Sequence, residues 1–167
     1  MWRRSIREGL VVGLIAYAVV ATFYAVFDLL AARGTLYTVD LLGKAMFRGL
    51  RDPSVLQFPL ALDSAAILWY NSFHLVISLG IGVVVTSLVL RAERHFEDAP
   101  LILSVIVVGF VITVLGVGFL TAGIRPLLPW WSICVANVLA TFAGAVYLVW
   151  RHPMWRSASG GHHPAVS

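Results

Sequence analysis

Charged residues are scarce in this chain, and their scarcity excludes most soluble proteins. Only 12% of its 167 residues are Asp, Glu, Lys or Arg, whereas 60% are hydrophobic, and the mean hydropathy is +0.90. Soluble globular domains carry about 25% charged residues. The composition therefore indicates a protein whose surroundings are largely lipid.

Cysteine and the common cofactor signatures are scarce as well. The one cysteine, Cys134, cannot form a disulfide within the chain. No closely spaced Cys and His residues indicate a zinc or iron–sulfur site, and the Walker, Rossmann, zincin and EF-hand patterns are missing. No residue is therefore predicted to be catalytic, and we favour a protein without enzymatic activity.

Basic residues outnumber acidic ones, which gives a net charge of +4. All of them except Lys44 are Arg, and they lie mainly at the ends of apolar runs. Arginine in such positions anchors helices among lipid headgroups. The excess of positive charge thus predicts a membrane surface, and not nucleic acid, as the partner.

Long apolar runs are what the sequence does contain, and four of them are long enough to cross a bilayer as helices. They cover residues 9–32, 65–90, 101–121 and 130–150. The first run is longer than the core of a signal peptide, so we expect it to be retained. The predicted fold class is an all-α four-transmembrane-helix bundle in one domain over residues 1–152, followed by a flexible polar tail at 153–167.

The connection between the first two runs contains an amphipathic pattern over residues 38–51. Thr38 is a suitable N-cap, and Pro53 would stop the helix. The charged face consists of Asp40, Lys44, Arg48 and Arg51, and the apolar face of Val39, Leu42, Met46 and Leu50. We expect this helix to lie in the membrane interface with its apolar side among acyl chains.

Small residues recur at helical spacing in three of the runs, which predicts close helix packing. Positions 9, 13, 17, 21 and 25 are Gly, Gly, Tyr, Ala and Ala, and Gly109 and Gly116 are one heptad apart. Ala136, Ala140 and Gly144 form a third stripe. These stripes could pack within the chain, against other membrane subunits, or against a second copy.

The orientation follows from the distribution of Lys and Arg between the two sides of the membrane. The side with both termini and the 91–100 turn holds seven, and the side with the long connection and the 122–129 turn holds five. The positive-inside rule then predicts both termini in the cytoplasm of a bacterial cell, with the helices in its inner membrane.

Polar side chains inside the spans concentrate in the outer half of the predicted bundle. At about 1.5 Å per residue, their depths range from roughly 6 to 14 Å. They are Asp28, Tyr24, Asn71, Asn137 and His74, with Arg125 just above them. The cytoplasmic half holds little beyond Tyr17 and Ser104. Because unsatisfied polar groups are costly in hydrocarbon, we expect the outer set to meet around His74.

Several chemistries fit a polar cluster around His74. The imidazole could ligate a metal, a haem or a chlorophyll-type pigment, although a bis-histidine haem would lack its second buried histidine. A proton relay from Asp28 or a quinone-headgroup site is a further interpretation. Alternatively, Asn71, His74 and Asn137 only hold helices together, at about 0.6 kcal/mol for a typical pair.

Two segments resemble those of four-span bacterial integral membrane proteins. They are GTLYTVDLLG at 34–43 and YNSFHL at 70–75. The resemblance covers most of the chain and implies the four-span fold, and no activity comes with it. We therefore predict a small accessory, assembly or scaffolding subunit of a membrane complex. The alternative is a binding module for a hydrophobic cofactor or quinone at His74.

Overall fold

The computed structural model describes residues 2–152, and these form five α-helices, three short 3₁₀ turns and no strand. The helices are α1 (Trp2–Leu30), α2 (Tyr37–Phe47), α3 (Ser64–Arg94), α4 (Ala99–Leu120) and α5 (Trp130–Arg151). Four of them, α1, α3, α4 and α5, are long and apolar enough to cross a membrane, which confirms the predicted fold class. The predicted flexible tail lies outside the described residues.

The first span ends slightly earlier than the apolar run predicts. Ala32 takes the left-handed conformation with φ 55°, and the amide of Arg33 donates to the carbonyl of Asp28 at 2.9 Å. This hydrogen bond between residues five apart, together with the left-handed residue, forms a Schellman motif, which ends a helix while satisfying its last carbonyls. The chain therefore turns at residues 31–33 and leads directly into α2.

Helix α1 lies between α3 and α5, and glycines make the α1–α3 contact unusually close. A Cβ added at Gly9 would lie 2.5 Å from the Cα of Val83, and one added at Gly13 would lie 2.5 Å from the carbonyl oxygen of Ser78. On the opposite side, Gly144 of α5 faces Val12. Two of the predicted small-residue stripes therefore pack inside the bundle.

Helix α4 is peripheral. Only Ile102, Val114 and Gly118 are buried along its 22 residues. A Cβ added at Gly109 or Gly116 would meet nothing within 4 Å, so this predicted seam contacts no other part of the described chain. Gly109 and Gly116 therefore face outward from the bundle, whereas Gly118 is buried against Trp130.

Helix α2 is shorter than predicted, because it ends at Phe47 and not at residue 51. Gly49 follows with a positive φ of 68°, which turns the chain away from the helix axis. The charged side of the helix also has different surroundings from those expected of an interfacial helix. Asp40 is 0% exposed and Lys44 7% exposed, both covered by protein.

Hydrogen bonds explain why α2 can bury these charges. Asp40 accepts from the ammonium of Lys44 at 2.5 Å and from the backbone N–H of Asp63 at 2.8 Å. Lys44 also donates to the carbonyl of Ala61. A buried ion pair is tolerated when further hydrogen bonds satisfy both partners. Docking of α2 in the membrane interface stays a prediction, whereas its docking on the start of α3 is observed.

The largest buried cluster occupies the end of the bundle where α2 and the 121–129 turn lie, which we call the loop end. Its members come from α1, α2, α5 and both connections: Tyr24, Tyr37, Leu41, Leu42, Ala45, Leu56, Ile124, Leu128, Ile133 and Ala136. The opposite end carries the first residues of α1 and the last residues of α5, and we call it the terminal end. The buried cluster makes the loop end a rigid support for side chains that project from it.

Candidate ligand-binding site

The register of the α1–α3 contact determines which polar side chains can meet. The helices are antiparallel, so each step of four residues along α1 corresponds to a step of four backwards along α3. Gly9 faces Val83 and Gly13 faces Leu79, and the next step therefore places Tyr17 beside His74 and Leu75. The observed ring contact between Tyr17 and His74, with centroids 5.2 Å apart, follows this register.

Four side chains form the centre of the polar region, and we call them the imidazole site: Tyr17, Tyr70, Asn71 and His74. The imidazole contacts two phenol rings, that of Tyr17 and that of Tyr70, and it is stacked on Tyr70 with centroids 5.9 Å apart and an interplanar angle of 29°. Tyr17 donates its hydroxyl proton to the side-chain oxygen of Asn71 at 3.0 Å. Asn71 in turn donates to the carbonyl of Ile67 at 2.9 Å. Tyr17 and Asn71 therefore fix one another.

The other two members of the imidazole site, Tyr70 and His74, have polar atoms that make no hydrogen bond to any of residues 2–152. Both residues are half-buried, and their polar atoms are not among the fully buried side-chain atoms that lack a partner. In hydrocarbon, a polar group without a partner costs several kcal/mol. The imidazole and the Tyr70 hydroxyl thus form a pair of neighbouring groups that can bind a polar atom of another molecule.

Asp28 is not brought to His74. Its two carboxylate oxygens accept from the backbone N–H and the hydroxyl of Thr38, at 2.7 and 2.6 Å. Among the described residues no hydrogen bond joins Asp28 to the imidazole, so the direct Asp28–His74 contact that a proton relay would need is not observed. Asp28 instead connects the end of α1 to the first turn of α2, where it accepts from an N–H that the helix leaves unpaired.

Tyr24 lies between Asp28 and the imidazole site. It is buried in the loop-end core, near the start of α5. Tyr70 packs against the same core. Tyr24 therefore supports the imidazole site from the loop end, without a direct contact to His74.

Among residues 2–152, no hydrogen bond, ion pair or ring contact joins Asn137 or Arg125 to another predicted site residue. Asn137 donates to the carbonyl of Ile133 on its own helix at 2.8 Å. Arg125 is exposed in the 121–129 turn, and no hydrogen bond or ion pair joins it to the rest of the described chain. Their predicted role in ligand binding has no geometric support from these contacts.

Two members of the imidazole site were not among the predicted site residues. Tyr70 lies four residues before His74, a spacing that places both on one helix face, so the sequence held this signal. Tyr17 belongs to the stripe that begins with Gly9 and Gly13, but depth alone assigned it to the cytoplasmic half. Its position beside His74 required the register of two helices, which one sequence does not specify.

Ion pairs near the loop end hold α2 over the start of α3. Asp63 caps α3 by accepting from the backbone N–H of Ala66 at 3.0 Å, and Arg48 donates to it at 2.9 Å. The hydrogen bond from Arg48 lowers the pKa of Asp63 to about 2. Asp63 is therefore ionised throughout the physiological range, and the cap does not change with pH there.

The geometry permits recognition of a carbonyl or hydroxyl by the imidazole site. A neutral imidazole and a phenol each supply one N–H or O–H donor, and the flanking rings offer flat apolar surfaces. Within residues 2–152, no group of three His, Cys, Asp or Glu side chains is arranged to hold a metal ion. No protein-family model, curated protein or solved structure matches this chain.

Proposed function

We propose that this four-span membrane protein is a binding module for a small apolar molecule with a polar headgroup, of which a quinone is the best fit. The observation that carries the proposal is the unpaired imidazole of His74 beside the unpaired hydroxyl of Tyr70. Neither group is fully buried within the chain, and both belong to α3, one of the helices long and apolar enough to cross a membrane. A ligand with a carbonyl oxygen would satisfy them.

In this proposal, each residue of the imidazole site has its own role in ligand binding. His74 and Tyr70 donate hydrogen bonds to the ligand, while Tyr17, held by Asn71, positions the imidazole from the other side. An aromatic headgroup can stack against the phenol rings, and an apolar tail remains among the acyl chains. A haem is a poorer fit, since His95 is exposed and His152 lies at the terminal end.

The test is direct binding of a short-chain ubiquinone analogue to the purified chain in mild detergent. Tyr70→Phe removes one hydroxyl and keeps the ring, so we expect affinity to fall about five- to tenfold, as for one lost hydrogen bond. His74→Ala, which also removes the stacked ring, should weaken binding further. Tyr147→Phe on α5 is the matched control and should leave affinity unchanged.

Lipid extraction followed by mass spectrometry identifies a ligand that copurifies with the chain. The proposal predicts that a redox-active or carbonyl-bearing lipid is retained by the wild-type protein and lost from His74→Ala. If His74→Ala only lowers thermal stability, and no bound molecule or added quinone distinguishes the two proteins, the imidazole site holds helices together and nothing more.

A second candidate function is that of an accessory or assembly subunit, and helix α4 favours it. Gly109 and Gly116 face outward and would allow a helix of another subunit to approach closely. Replacing both with Leu should abolish copurification of a partner in gentle detergent, whereas Gly80→Leu, on an open face of α3, should not. Recovery of the chain alone at every concentration would contradict this role.

A further inference from the structure

Three helices are tied together at the terminal end of the bundle by a buried histidine. The Nε2 atom of His152 lies 3.1 Å from a carboxylate oxygen of Glu8, and its Nδ1 atom lies 3.0 Å from one of Glu93. His152 and Glu8 are each 4% exposed. These contacts fix the start of α1 against the ends of α3 and α5.

An open cavity of about 540 Å³ lies beside this junction. It is lined by Arg3, Arg4, Arg7, Glu8 and Arg151, and we call it the arginine cavity. Four guanidinium groups from two helices therefore surround one space. Like charges close together repel each other, and an anion that enters this space relieves that repulsion.

The two carboxylates at this junction, Glu8 and Glu93, both contact His152 and both act on Arg4, so they offset the positive charge of the arginine cavity only in part. Arg4 pairs with Glu8 at 2.9 Å, and Glu8 is already shared with His152. None of the ion pairs observed among residues 2–152 includes Arg3, Arg7 or Arg151. Residues 1 and 153–167 contain no Asp or Glu, so their side chains cannot supply the missing negative charge.

We propose that the arginine cavity binds the phosphate group of an anionic phospholipid. Guanidinium groups form paired hydrogen bonds with phosphate oxygens, which makes arginine the preferred residue for such groups. The cavity lies at the end of four spanning helices, where headgroups gather, and basic pockets at helix ends are known to hold anionic lipids. The bound lipid would join α1 to α5 where Glu8 and His152 already meet.

A lipid source is favoured over free phosphate by the neighbouring surface. Next to the cavity, α1 presents Leu10, Val11 and Leu14 on its outer side, each more than one-third exposed. These side chains offer acyl chains an apolar surface directly below a headgroup in the cavity. Free phosphate would gain nothing from them.

The experiment measures lipid binding to the full chain in detergent by native mass spectrometry. Phosphatidylglycerol and phosphatidylcholine are compared, because only the first carries net negative charge. We expect phosphatidylglycerol to bind at least tenfold more tightly. In the double variant Arg7→Gln/Arg151→Gln that affinity should fall at least tenfold, given the contribution expected of each basic residue.

The matched control is Arg91→Gln/Arg94→Gln, which removes two positive charges at the same end without changing the cavity lining. It should change phosphatidylglycerol affinity less than twofold. Equal affinity for the two lipids, or equal losses in the two double variants, would overturn the proposal. Binding of soluble glycerol phosphate as tight as that of phosphatidylglycerol would overturn the assignment to a lipid.

The phospholipid proposal can be tested even if the double variant does not fold. If Arg7→Gln/Arg151→Gln does not fold, raising the salt concentration on the wild-type chain should release phosphatidylglycerol selectively, because salt screens charge contacts. Salt-independent binding contradicts the proposal. The arginine cavity shares no lining residue with the imidazole site, which lies further along the bundle towards the loop end. His74→Ala should therefore retain full phosphatidylglycerol affinity, which separates this proposal from the quinone proposal.

Discussion

Two buried threonines differ in whether their hydroxyl groups have a hydrogen-bond partner. Thr38 is 1% exposed and donates to the carboxylate of Asp28 at 2.6 Å. Thr86 is 0% exposed, and its hydroxyl has no hydrogen-bond partner among the described residues. A polar group buried without a partner lowers stability, whereas removing one member of a bonded pair leaves the other unsatisfied.

The same substitution should therefore have opposite effects at the two sites. Thr38→Val should lower the free energy of unfolding by about 1–3 kcal/mol, because it leaves an oxygen of Asp28 unpaired. Thr86→Val keeps the side-chain shape and should leave stability unchanged or raise it by about 1 kcal/mol. Unfolding of both variants in mixed micelles by a denaturing detergent measures the difference. Equal destabilisation would show that Thr86 has a partner.

At the scale of helices, glycine positions determine how α1 and α3 meet. Gly82 lies against the α1 backbone, where an added Cβ would lie 2.7 Å from the Cα of Gly13. Gly80, two residues earlier on the same helix, would meet nothing within 4 Å. Gly82 and Gly80 thus have different structural roles, because only Gly82 faces α1.

We predict that Gly82→Ala forces α1 and α3 apart and lowers the free energy of unfolding by about 1–3 kcal/mol, as for overpacking. Gly80→Ala is the control, and it should be neutral or slightly stabilising because alanine favours helix. Because the same contact places Tyr17 beside His74, Gly82→Ala should also weaken quinone binding. Thermal unfolding and ligand titration of both variants test this. Similar midpoints and affinities would contradict the packing argument.

At the scale of the whole molecule, the described ends of the chain lie at the same end of the bundle, as the contact between Glu8 and His152 shows. The excess of Lys and Arg on that side predicts that it faces the cytoplasm. The long connection that contains α2, and the imidazole site near it, would then face outward. A quinone site on that side would belong to the outer half of the bilayer.

Cysteine labelling in intact bacterial cells tests this orientation. In a Cys134→Ser background, Gln57→Cys should react with a membrane-impermeant maleimide, because residue 57 is exposed in the long connection. Glu97→Cys, exposed in the turn at the terminal end, should react only after lysis. The reverse pattern would place the imidazole site in the cytoplasmic half.

The sequence by itself determined the class of fold and the existence of four spans, because a bilayer demands about 20 consecutive apolar residues and little else. It also predicted close packing at Gly9, Gly13 and Gly144, but the same kind of pattern at Gly109 and Gly116 faces away from the described chain, so spacing alone does not identify the packing partner. The pairing of Asn71 with His74 on one face followed from helical geometry alone. All of these are local properties of one segment.

Only the tertiary structure decided which partner each polar group has. The charged side of α2 was expected to face the membrane interface, yet Asp40 and Lys44 form an ion pair that is covered by protein. The same periodic pattern of charged and apolar residues fits both environments. Asp28 bonds to Thr38 and not to His74, because a sharp turn brings α2 back to the end of α1. Tyr17 reaches His74 through the register of two helices. Such choices depend on contacts between segments distant in sequence, and the spacing along one segment does not encode them.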